Sequence, residues 1–329
     1  MKPSTLILAA ILSLSLLAFL LAQEQLVRIV LDETLVINNI EGEVVYQKVG
    51  ITSDNEENIY LTDIKGDSIK KFNKIGQLVE WTGRSGQGPE EFNQPGLIKF
   101  FGNKLYVTES YRPGISVFDK DLKVKSKIPL RFTVTDLNFF SDNQIAVSTM
   151  VRDRSEEGNF NFCIYIYDSA GSEKEKIVYE TSKSFTMMNM INFSIDRNNN
   201  FLIAYCWKDK IEKLDRNGNL LWANSLLGNR EVRTKKLNGT KITLSEYPLE
   251  TVYRAVALDT YGNLFVLGGD LSENKNRDVY VLTSEGRHLL TFILPESSHT
   301  ICIDSKNNLY SRSENGLTIR RYALNYIYE

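Results

Sequence analysis

The segment Asn58-Ile59-Tyr60-Leu61-Thr62-Asp63 occurs near the start of the chain and returns in altered form along the rest of it. Its clearest copy is Lys104-Leu105-Tyr106-Val107-Thr108-Glu109. Four weaker copies are Gln144–Val147, Asn200–Ile203, Asn263–Val266 and Asn308–Tyr310. Counted from the first apolar residue of each copy, the intervals are 46, 40, 56, 63 and 45 residues. An irregular period of this length is typical of propeller blades rather than of helical solenoids.

A further strand-like segment with alternating side chains follows each copy. These segments are Ile69–Phe72, Ile115–Phe118, Ile164–Tyr167, Ile211–Leu214, Val279–Leu282 and Ile319–Tyr322. Polar turns come next, several with a glycine that supplies the positive φ of a tight hairpin, at Gly76, Gly171, Gly218 and Gly286. Another short strand precedes each copy, as in Val256–Leu258. Each unit is therefore predicted to be a meander of four antiparallel strands.

The fold class predicted from this pattern is all-β, a six-bladed β-propeller of four-stranded antiparallel blades. No stretch of the predicted mature chain has the sustained 3.6-residue periodicity of an amphipathic helix, and radial stacking lets the sheets cover one another's faces. The last unit has too little chain after Tyr322 for a secure fourth strand. We expect a strand within residues 25–49 to pair into the last blade and close the ring.

Composition supports a globular chain with a substantial core and excludes disordered, collagen-like and coiled-coil classes. The 329 residues are 42% hydrophobic, and the formal net charge is −2. That charge provides no global basic field for a polyphosphate partner, although it is compatible with a local basic patch. We expect no nucleic-acid partner because the N-terminus predicts export. The three cysteines, Cys163, Cys206 and Cys302, lie far apart in apolar segments and are interpreted as buried thiols rather than as a disulfide framework.

The N-terminus has the layout of an export signal. Lys2 precedes an uncharged apolar run from Leu6 to Ala22, which ends at Gln23. We predict a signal peptide over residues 1–22 and a single propeller domain over residues 23–329, in a secreted or periplasmic protein. The alternative is that the run is retained as a membrane anchor, although about 20 apolar residues are typical of a span. Contact with a membrane is expected only in that second case.

The linker Gly83-Arg84-Ser85-Gly86-Gln87-Gly88-Pro89-Glu90-Glu91-Phe92-Asn93-Gln94-Pro95 resembles the connection between blades in NHL-repeat propellers. In that family G-x-G-x-G-P-x-x-F leads through a proline into an inner strand. The match is specific in the first two units, whereas units three and four depart from the pattern. The resemblance implies a six-bladed propeller from about Val49 to the C-terminus.

Two enzyme branches of similar propellers are relevant. Zinc-dependent lyases of NHL type use several histidines, whereas this chain has only His288, expected at the surface, and His299. Lactonases of the gluconolactonase type bind calcium through carboxylate and amide oxygens near the channel. The candidates for such a site, as an alternative interpretation, are Asp136, Asn138, Asn189 and Asn192. The preferred interpretation assigns these four to turn and strand-end hydrogen bonds, with no metal and no cofactor.

Propellers usually bind ligands on the face where the blade connections and the loops between second and third strands converge. Exposed aromatic and arginine side chains are typical of interaction sites. The residues predicted for a ligand-binding face are Arg84, Tyr111, Arg112, Arg152, Trp207, Lys208, Arg254, His299 and Arg312, with the loops at residues 152–154 and 270–277.

The interval of 63 residues predicts an insertion between blades four and five. Asn238-Gly239 lies there between two alternating segments, which indicates a hairpin near residues 230–246, either a docking arm or a flap. The preferred hypothesis is an exported, non-catalytic module that binds a protein, peptide or glycan ligand. The alternative is a calcium-dependent lactonase or hydrolase.

Overall fold

The computed structural model describes residues 26–38, 50–88, 90–110, 112–153, 160–182, 187–236 and 246–328. Over these residues the strands form six four-stranded antiparallel sheets and one two-stranded sheet, with no helix. The predicted six-bladed β-propeller is therefore confirmed. Within the same ranges no helix is long and apolar enough to cross a bilayer. The predicted signal peptide lies outside the described residues.

After the first strand, the strands follow one another blade by blade along the chain. The first strand is β1 (Leu26–Ile37), and blade 1 contains β2 (Ile51–Ser53), β3 (Ile59–Asp63), β4 (Ser68–Phe72) and β5 (Leu78–Thr82). Blade 2 contains β6 (Pro95–Phe101), β7 (Lys104–Glu109), β8 (Ile115–Asp119) and β9 (Val124–Ile128), and blade 3 contains β10 (Asp136–Phe139), β11 (Ile145–Arg152), β12 (Phe160–Tyr167) and β13 (Glu173–Ser182). Blade 4 contains β14 (Ile191–Ile195), β15 (Phe201–Tyr205), β16 (Ile211–Leu214) and β17 (Leu220–Asn224), followed by β18 (Thr234–Lys236) and β19 (Glu246–Pro248). Blade 5 contains β20 (Tyr253–Leu258), β21 (Leu264–Gly268), β22 (Asp278–Leu282) and β23 (His288–Ile293), and blade 6 contains β24 (Ser298–Ile303), β25 (Asn308–Ser313) and β26 (Ile319–Tyr328).

The inner strands form a closed ring. The first strand of each blade contacts the first strand of the next, in the order β2, β6, β10, β14, β20 and β24, and β24 returns to β2. Apolar residues fill the wedges between neighbouring blades in separate core clusters. The face where the inner strands begin, which also carries the loops between second and third strands, is called the loop face below.

The N-terminal strand closes the ring, as the sequence predicts. Strand β1 pairs antiparallel with β26, from Leu26 opposite Tyr328 to Ile37 opposite Ile319. The last sheet therefore has the order β1-β26-β25-β24. Two strands from opposite ends of the described chain complete one blade, so each of them has a pairing partner.

Aspartate turns explain why asparagine starts so many of the repeat copies. Asp54 accepts hydrogen bonds from the backbone N–H groups of Glu56 and Asn58, and its other carboxylate oxygen accepts one from the Asn58 side chain. The same arrangement occurs at Asp196, Asp259 and Asp304 with the asparagines Asn200, Asn263 and Asn308. In such turns the aspartate carboxylate and the asparagine amide form the hydrogen bonds that hold the backbone in its turn conformation.

Hairpin glycines bring each blade close to the one before it. Gly218 has a φ of +88°, and a Cβ there would lie 2.6 Å from the Ile177 side chain of blade 3. Gly76, Gly171 and Gly286 occupy the corresponding hairpins with positive φ. The predicted need for glycine at these turns is confirmed, and close contact between blades is a second reason for it.

The two strands of the insertion form a small separate sheet. Strand β18 pairs with β19 from Thr234 opposite Pro248 to Lys236 opposite Glu246. The pairing strand thus begins at Glu246, the last residue of the segment that the sequence pattern indicated. The Asn238-Gly239 turn lies outside the described residues.

Replacing Ile29 by alanine is expected to destabilise the whole propeller. Ile29 is buried in the core cluster between blades 5 and 6, although it lies on the closing strand. We expect a loss of about 2 to 4 kcal/mol in the free energy of unfolding, because a buried isoleucine leaves a cavity. Denaturant unfolding measures it. The exposed neighbour provides the control, since Arg28→Ala should change stability by no more than about 0.5 kcal/mol. Equal effects of the two substitutions would contradict a packed closing strand.

Candidate functional site

A cavity of about 1400 Å³ opens on the loop face. Residues from blades 2 to 6 and from the insertion line it. The inner strands of blades 2, 5 and 6 contribute their first residues, and the loops that follow the second strands of blades 4, 5 and 6 complete the wall. The site therefore combines segments that are far apart in sequence, because every blade turns the same connections toward the same face.

One side of the cavity, called the apolar wall below, consists of Met187, Met190, Trp207, Tyr247 and Leu249. Tyr247 belongs to β19, so the insertion contributes directly to the cavity. The exposed fractions are 46% for Tyr247 and 52% for Leu249. Large apolar side chains that are exposed together at a cavity mouth mark a surface whose burial by a ligand is energetically favourable.

Five carboxylates also line the cavity, Glu109, Glu250, Asp270, Glu296 and Glu314, called the acidic rim below. Among the described lining residues, one guanidinium, that of Arg254, faces these acids. Each of these five carboxylates also forms an ion pair with a lysine or arginine side chain, so cations compensate the charge of the acidic rim.

Arg254, on β20, connects the inner strand β24 with two loops of the site. Its Nη1 lies 3.1 Å from Nδ1 of His299, and its Nη2 lies 3.1 Å from Oε1 of Glu314 and 3.8 Å from Oδ1 of Asp270. The Arg254 side chain is only 12% exposed. Arg254 and His299 were both assigned to the binding face from sequence, and the structure brings them into direct contact within the cavity.

Asp270 is held by Thr251, in the segment between β19 and β20, as well as by cations. One of its oxygens accepts hydrogen bonds from the backbone N–H of Thr251 at 2.9 Å and from its hydroxyl at 2.8 Å. Lys275 lies 3.1 Å from the other oxygen. Burial raises the pKa of Asp270, but the hydrogen bonds from Thr251 and Lys275 outweigh it and hold the pKa below its usual value. The group is a carboxylate near neutral pH.

The other carboxylates of the acidic rim are paired with cations that do not line the cavity. Glu109 pairs with Arg112 at 2.8 Å, Glu296 with Arg320 at 2.7 Å, and Glu250 with Arg233. The Arg233 side chain is 75% exposed, so solvent screens that pair.

Lys208 lies beside the apolar wall in a second cavity, of about 850 Å³, which Trp207 also lines. Its ammonium group donates a hydrogen bond to Oδ1 of Asn189 and lies 5.6 Å from the centre of the Tyr205 ring. Burial lowers the pKa of Lys208, with the charge of Lys210 adding to the effect. Trp207 and Lys208, predicted from sequence as neighbours on the binding face, thus belong to adjoining cavities.

Asp209 fixes the backbone beneath the site. Its carboxylate accepts hydrogen bonds from the backbone N–H groups of Leu226, Leu227 and Asn229 at 2.8–2.9 Å and from the Tyr253 hydroxyl. Tyr253 is fully buried and lines the cavity. A buried carboxylate with this many donors is well satisfied, so it orders the loop after blade 4.

Three predicted arginines lie away from the cavity lining. Arg84 is 81% exposed and pairs with Glu91 at 2.8 Å. Arg112 donates to backbone carbonyls of Gly86, Gln87 and Glu91 at 2.8–3.0 Å, which secures the linker into blade 2. Arg152 is exposed at the end of β11. Tyr111 and Arg154 lie outside the described residues.

Arg312 does not belong to the exposed surface on which the sequence analysis placed it. Its side chain is buried, and its guanidinium donates to the carbonyl oxygens of Thr62 at 3.0 Å and Gly316 at 3.3 Å. Burial lowers the pKa of Arg312 to about 10. The residue lies at the junction of blades 6 and 1, because the second strand of blade 6 reaches the interface with blade 1 before the loop that follows it begins.

The four alternative calcium ligands make hydrogen bonds, two of them between blades 3 and 4 and two within blade 4. Asp136 accepts a hydrogen bond from the backbone N–H of Phe193 at 2.9 Å, and the Asn138 amide donates to the Phe193 carbonyl at 2.6 Å. Asn189 binds Lys208, and the Asn192 amide lies 3.3 Å from Sγ of Cys206. Across the described ranges, no group of three or more His, Cys, Asp or Glu side chains is arranged to hold a metal ion.

The remaining sequence predictions concern single residues. His288 is exposed on β23, as expected, with Nε2 at 2.9 Å from Oγ1 of Thr291. The cysteines are free thiols; Cys163 and Cys206 are buried, as predicted, and Cys302 is partly exposed. Burial raises the pKa of Cys163 to about 11.

Sequence reasoning missed most of the apolar wall and acidic rim. Tyr247 and Leu249 lie in the long fourth interval, whose excess length was the one signal for them. Glu314 follows Arg312 by two residues but was not assigned to the site. A single sequence does not show which of many loop carboxylates face one another across a ring.

No protein-family model and no curated protein matches this sequence. Solved propellers match its fold at low identity. A virginiamycin B lyase from Staphylococcus aureus superposes with a TM-score of 0.56 at 12% identity, over 91% of this chain and 100% of that one. A Bacteroides thetaiotaomicron protein of unknown function has a TM-score of 0.60 at 12% identity, over 91% and 77%. A gluconolactonase from Xanthomonas campestris has a TM-score of 0.54 at 13% identity, over 88% and 89%. These likenesses show the propeller fold alone.

Replacing Asp270 by asparagine is expected to lower stability at neutral pH but not in acid. The folded pKa of Asp270 lies below its unfolded value, so the stabilisation is present above the unfolded pKa of about 4 and is lost as pH falls through the folded pKa. Melting temperatures at about pH 7 and about pH 3 measure this. The gap between wild type and Asp270→Asn should close in acid, whereas the control Glu175→Gln, at an exposed carboxylate on β13, should show no gap at either pH. A gap that persists unchanged at the lower pH would refute a charge-based role.

Proposed function

We propose that the protein is an exported, non-catalytic binding module whose ligand, a protein segment, peptide or glycan, occupies the loop-face cavity. The observation that carries the proposal is the cavity itself, about 1400 Å³ in volume, which the apolar wall and the acidic rim both line. Ligand sites are typically concave and mostly apolar with a few oriented polar groups. The volume exceeds that of a typical small-molecule site and suits an extended ligand.

The insertion supports a binding role. Strands β18 and β19 lie outside the six blades, and the segment from Tyr247 to Glu250 lines the cavity. The ion pair between Arg233 and Glu250, together with the hydrogen bond from Leu249 N–H to the Arg233 carbonyl, ties the ends of the insertion together. An appended sheet that presents exposed apolar side chains at a cavity mouth adds contact area for a ligand.

The preference for binding over calcium-dependent hydrolysis rests on the hydrogen bonds that the candidate calcium ligands make within the protein. Asp136 and Asn138 form a bridge from blade 3 to Phe193 of blade 4, with both backbone polar groups of Phe193 engaged. The oxygens of Asp136 accept backbone N–H groups, which is the structural role expected for a buried carboxylate. An NHL-type relationship, carried by the linker from Gly83 to Pro95, is part of the same proposal.

Export is proposed on the apolar run from Leu6 to Ala22. Cell fractionation with N-terminal sequencing of the recovered protein tests it. We expect a secreted or periplasmic protein whose first residue is Gln23 if the segment is cleaved, or a membrane-associated protein with an intact N-terminus if it is retained. Recovery of the full-length chain in the cytoplasmic fraction would contradict export.

Binding at the cavity is tested with a panel of peptides and glycans on an array, followed by calorimetry of the hits with the purified protein. Replacing Leu249 by serine should weaken the hits about tenfold, because a contact made by an apolar side chain is lost. Leu78→Ser is the matched control, since Leu78 is 51% exposed against 52% for Leu249 and lies on the outer strand β5. Equal affinity of both variants would place the ligand elsewhere.

A calcium titration combined with a lactone and ester panel tests the alternative function. We expect neither stoichiometric calcium binding nor turnover. Chelator-sensitive hydrolysis that is lost in Asp136→Asn, in protein that stays folded by circular dichroism, would overturn the proposal of a non-catalytic module.

A further inference from the structure

Two lysines lie close together on the tight turn that follows β15. The backbone N–H of Lys210 donates a hydrogen bond to the carbonyl oxygen of Lys208 at 2.8 Å, and the Tyr205 N–H donates to the carbonyl oxygen of Lys210 at 3.0 Å. Asp209, between the two lysines, is buried and accepts hydrogen bonds from three backbone N–H groups of the loop after blade 4. These hydrogen bonds hold the turn in place, so both lysine side chains start from fixed positions.

The ammonium groups of both lysines lie near the same aromatic ring. Nζ of Lys208 is 5.6 Å from the centre of the Tyr205 ring, and Nζ of Lys210 is 4.9 Å from it. Tyr205 is fully buried, and its hydroxyl donates a hydrogen bond to Glu212. The ring attracts each cation, but two like charges held beside one ring repel each other.

The two lysines differ in how their charge is compensated. Glu212 forms an ion pair with Lys210, so its carboxylate is committed to that side chain. Nζ of Lys208 instead donates its hydrogen bond to Oδ1 of Asn189, which is a neutral amide. Its ion pair is with Glu180, at 3.9 Å, which is beyond hydrogen-bonding distance. Lys208 is therefore oriented by a neutral group and only weakly compensated by a carboxylate.

Lys125 on β9 shows the contrast with a well-compensated lysine. Its ammonium group lies 2.7 Å from Asp119, and its side chain is 49% exposed, whereas the side chain of Lys208 is 36% exposed. Burial and weak compensation both favour the neutral amine. In agreement with this geometry, burial lowers the pKa of Lys208 more than the charge of Glu180 raises it, and the charge of Lys210 lowers it further.

The amine of Lys208 has room beside it for a small ligand. Lys208 lines the cavity of about 850 Å³, and Trp207 lines both this cavity and the larger one on the loop face. A neutral amine is a nucleophile toward aldehydes and ketones, and proteins activate lysines for this reaction by desolvation and by a neighbouring cation. Both conditions are met at Lys208.

We propose that Lys208 forms a reversible Schiff base with an aldehyde or ketone that occupies the smaller cavity. The cavity wall beside Trp207 holds the rest of the ligand, and Asn189 directs the Nζ atom. This covalent contact goes beyond the proposed function, because it does not depend on the ligand of the larger cavity.

The reaction balances with the groups that the site contains. Glu180 accepts a proton from the Lys208 ammonium group, and the lone pair of Nζ attacks the carbonyl carbon to form a C–N bond. A second proton moves from the nitrogen to the carbonyl oxygen. The proton on Glu180 then allows that oxygen to leave as water while the C=N bond forms. The ammonium group and the carbonyl compound thus give a protonated imine and one water molecule, without an oxidant or a reductant.

Reductive alkylation of the purified protein tests the proposal, with propanal as the probe and cyanoborohydride to trap the imine. Mass spectrometry of proteolytic peptides gives the rate of modification of each lysine at about pH 7. We expect Lys208 to react about fivefold faster than Lys125, although its side chain is less exposed. Equal or slower reaction of Lys208 would overturn the proposal.

Two substitutions of the neighbouring lysine separate its charge from its packing. Lys210→Met removes the second ammonium group and should slow the reaction of Lys208 about threefold, because the charged form of Lys208 is then repelled less. Lys210→Arg keeps a positive charge at this position and should react at a rate close to that of the wild type. Lys125→Met is the control and should leave the rate at Lys208 unchanged. Equal rates at Lys208 in the two Lys210 variants would overturn activation by the neighbouring charge.

Discussion

The pairing of β1 with β26 is the interaction on which the rest of the molecule depends. The blades of a propeller are separate sheets arranged in a ring. The ring is held closed where strands from the two ends of the chain pair in the same blade. Strand β1 serves this purpose, since it completes the sheet of blade 6 while Ile37 packs in the cluster that joins blades 6 and 1. The ring of inner strands then holds each loop at a set angle around one axis, which is the condition for a shared cavity.

The cavity derives its chemistry from this convergence. Arg254 comes from one inner strand, His299 from the next inner strand and Glu314 from a loop of the last blade. The guanidinium of Arg254 lies 3.1 Å from each of the other two side chains. Polar groups in such a network are oriented by their partners, so the acidic rim is preorganised rather than assembled by the ligand. The insertion adds Tyr247 and Leu249 to the apolar wall and Glu250 to the acidic rim.

Much of the architecture could be predicted because the repeat signals are local. The Asp54 turn explains Asn58 at the head of the first copy, and the positive φ of Gly218 explains a hairpin glycine. The closing strand followed from a count of strands in the last unit. Site residues were harder, because exposure depends on neighbours from other blades. Arg312 carries the residue type of a binding hot spot, yet the edge of blade 1 covers it, and Arg112 is engaged by carbonyls of the linker into blade 2.

The amino-acid sequence by itself determined the number of blades, the strand order within them and the presence of an insertion, because turns and alternation are encoded over a few neighbouring residues. Only the tertiary structure decided which loop residues share the cavity. Glu314 and Leu249 are unremarkable in sequence, and they line one site because ring closure brings the loops of blades 2 to 6 to a common face. Contacts between residues far apart in the chain depend on the angle between blades, which no local pattern contains.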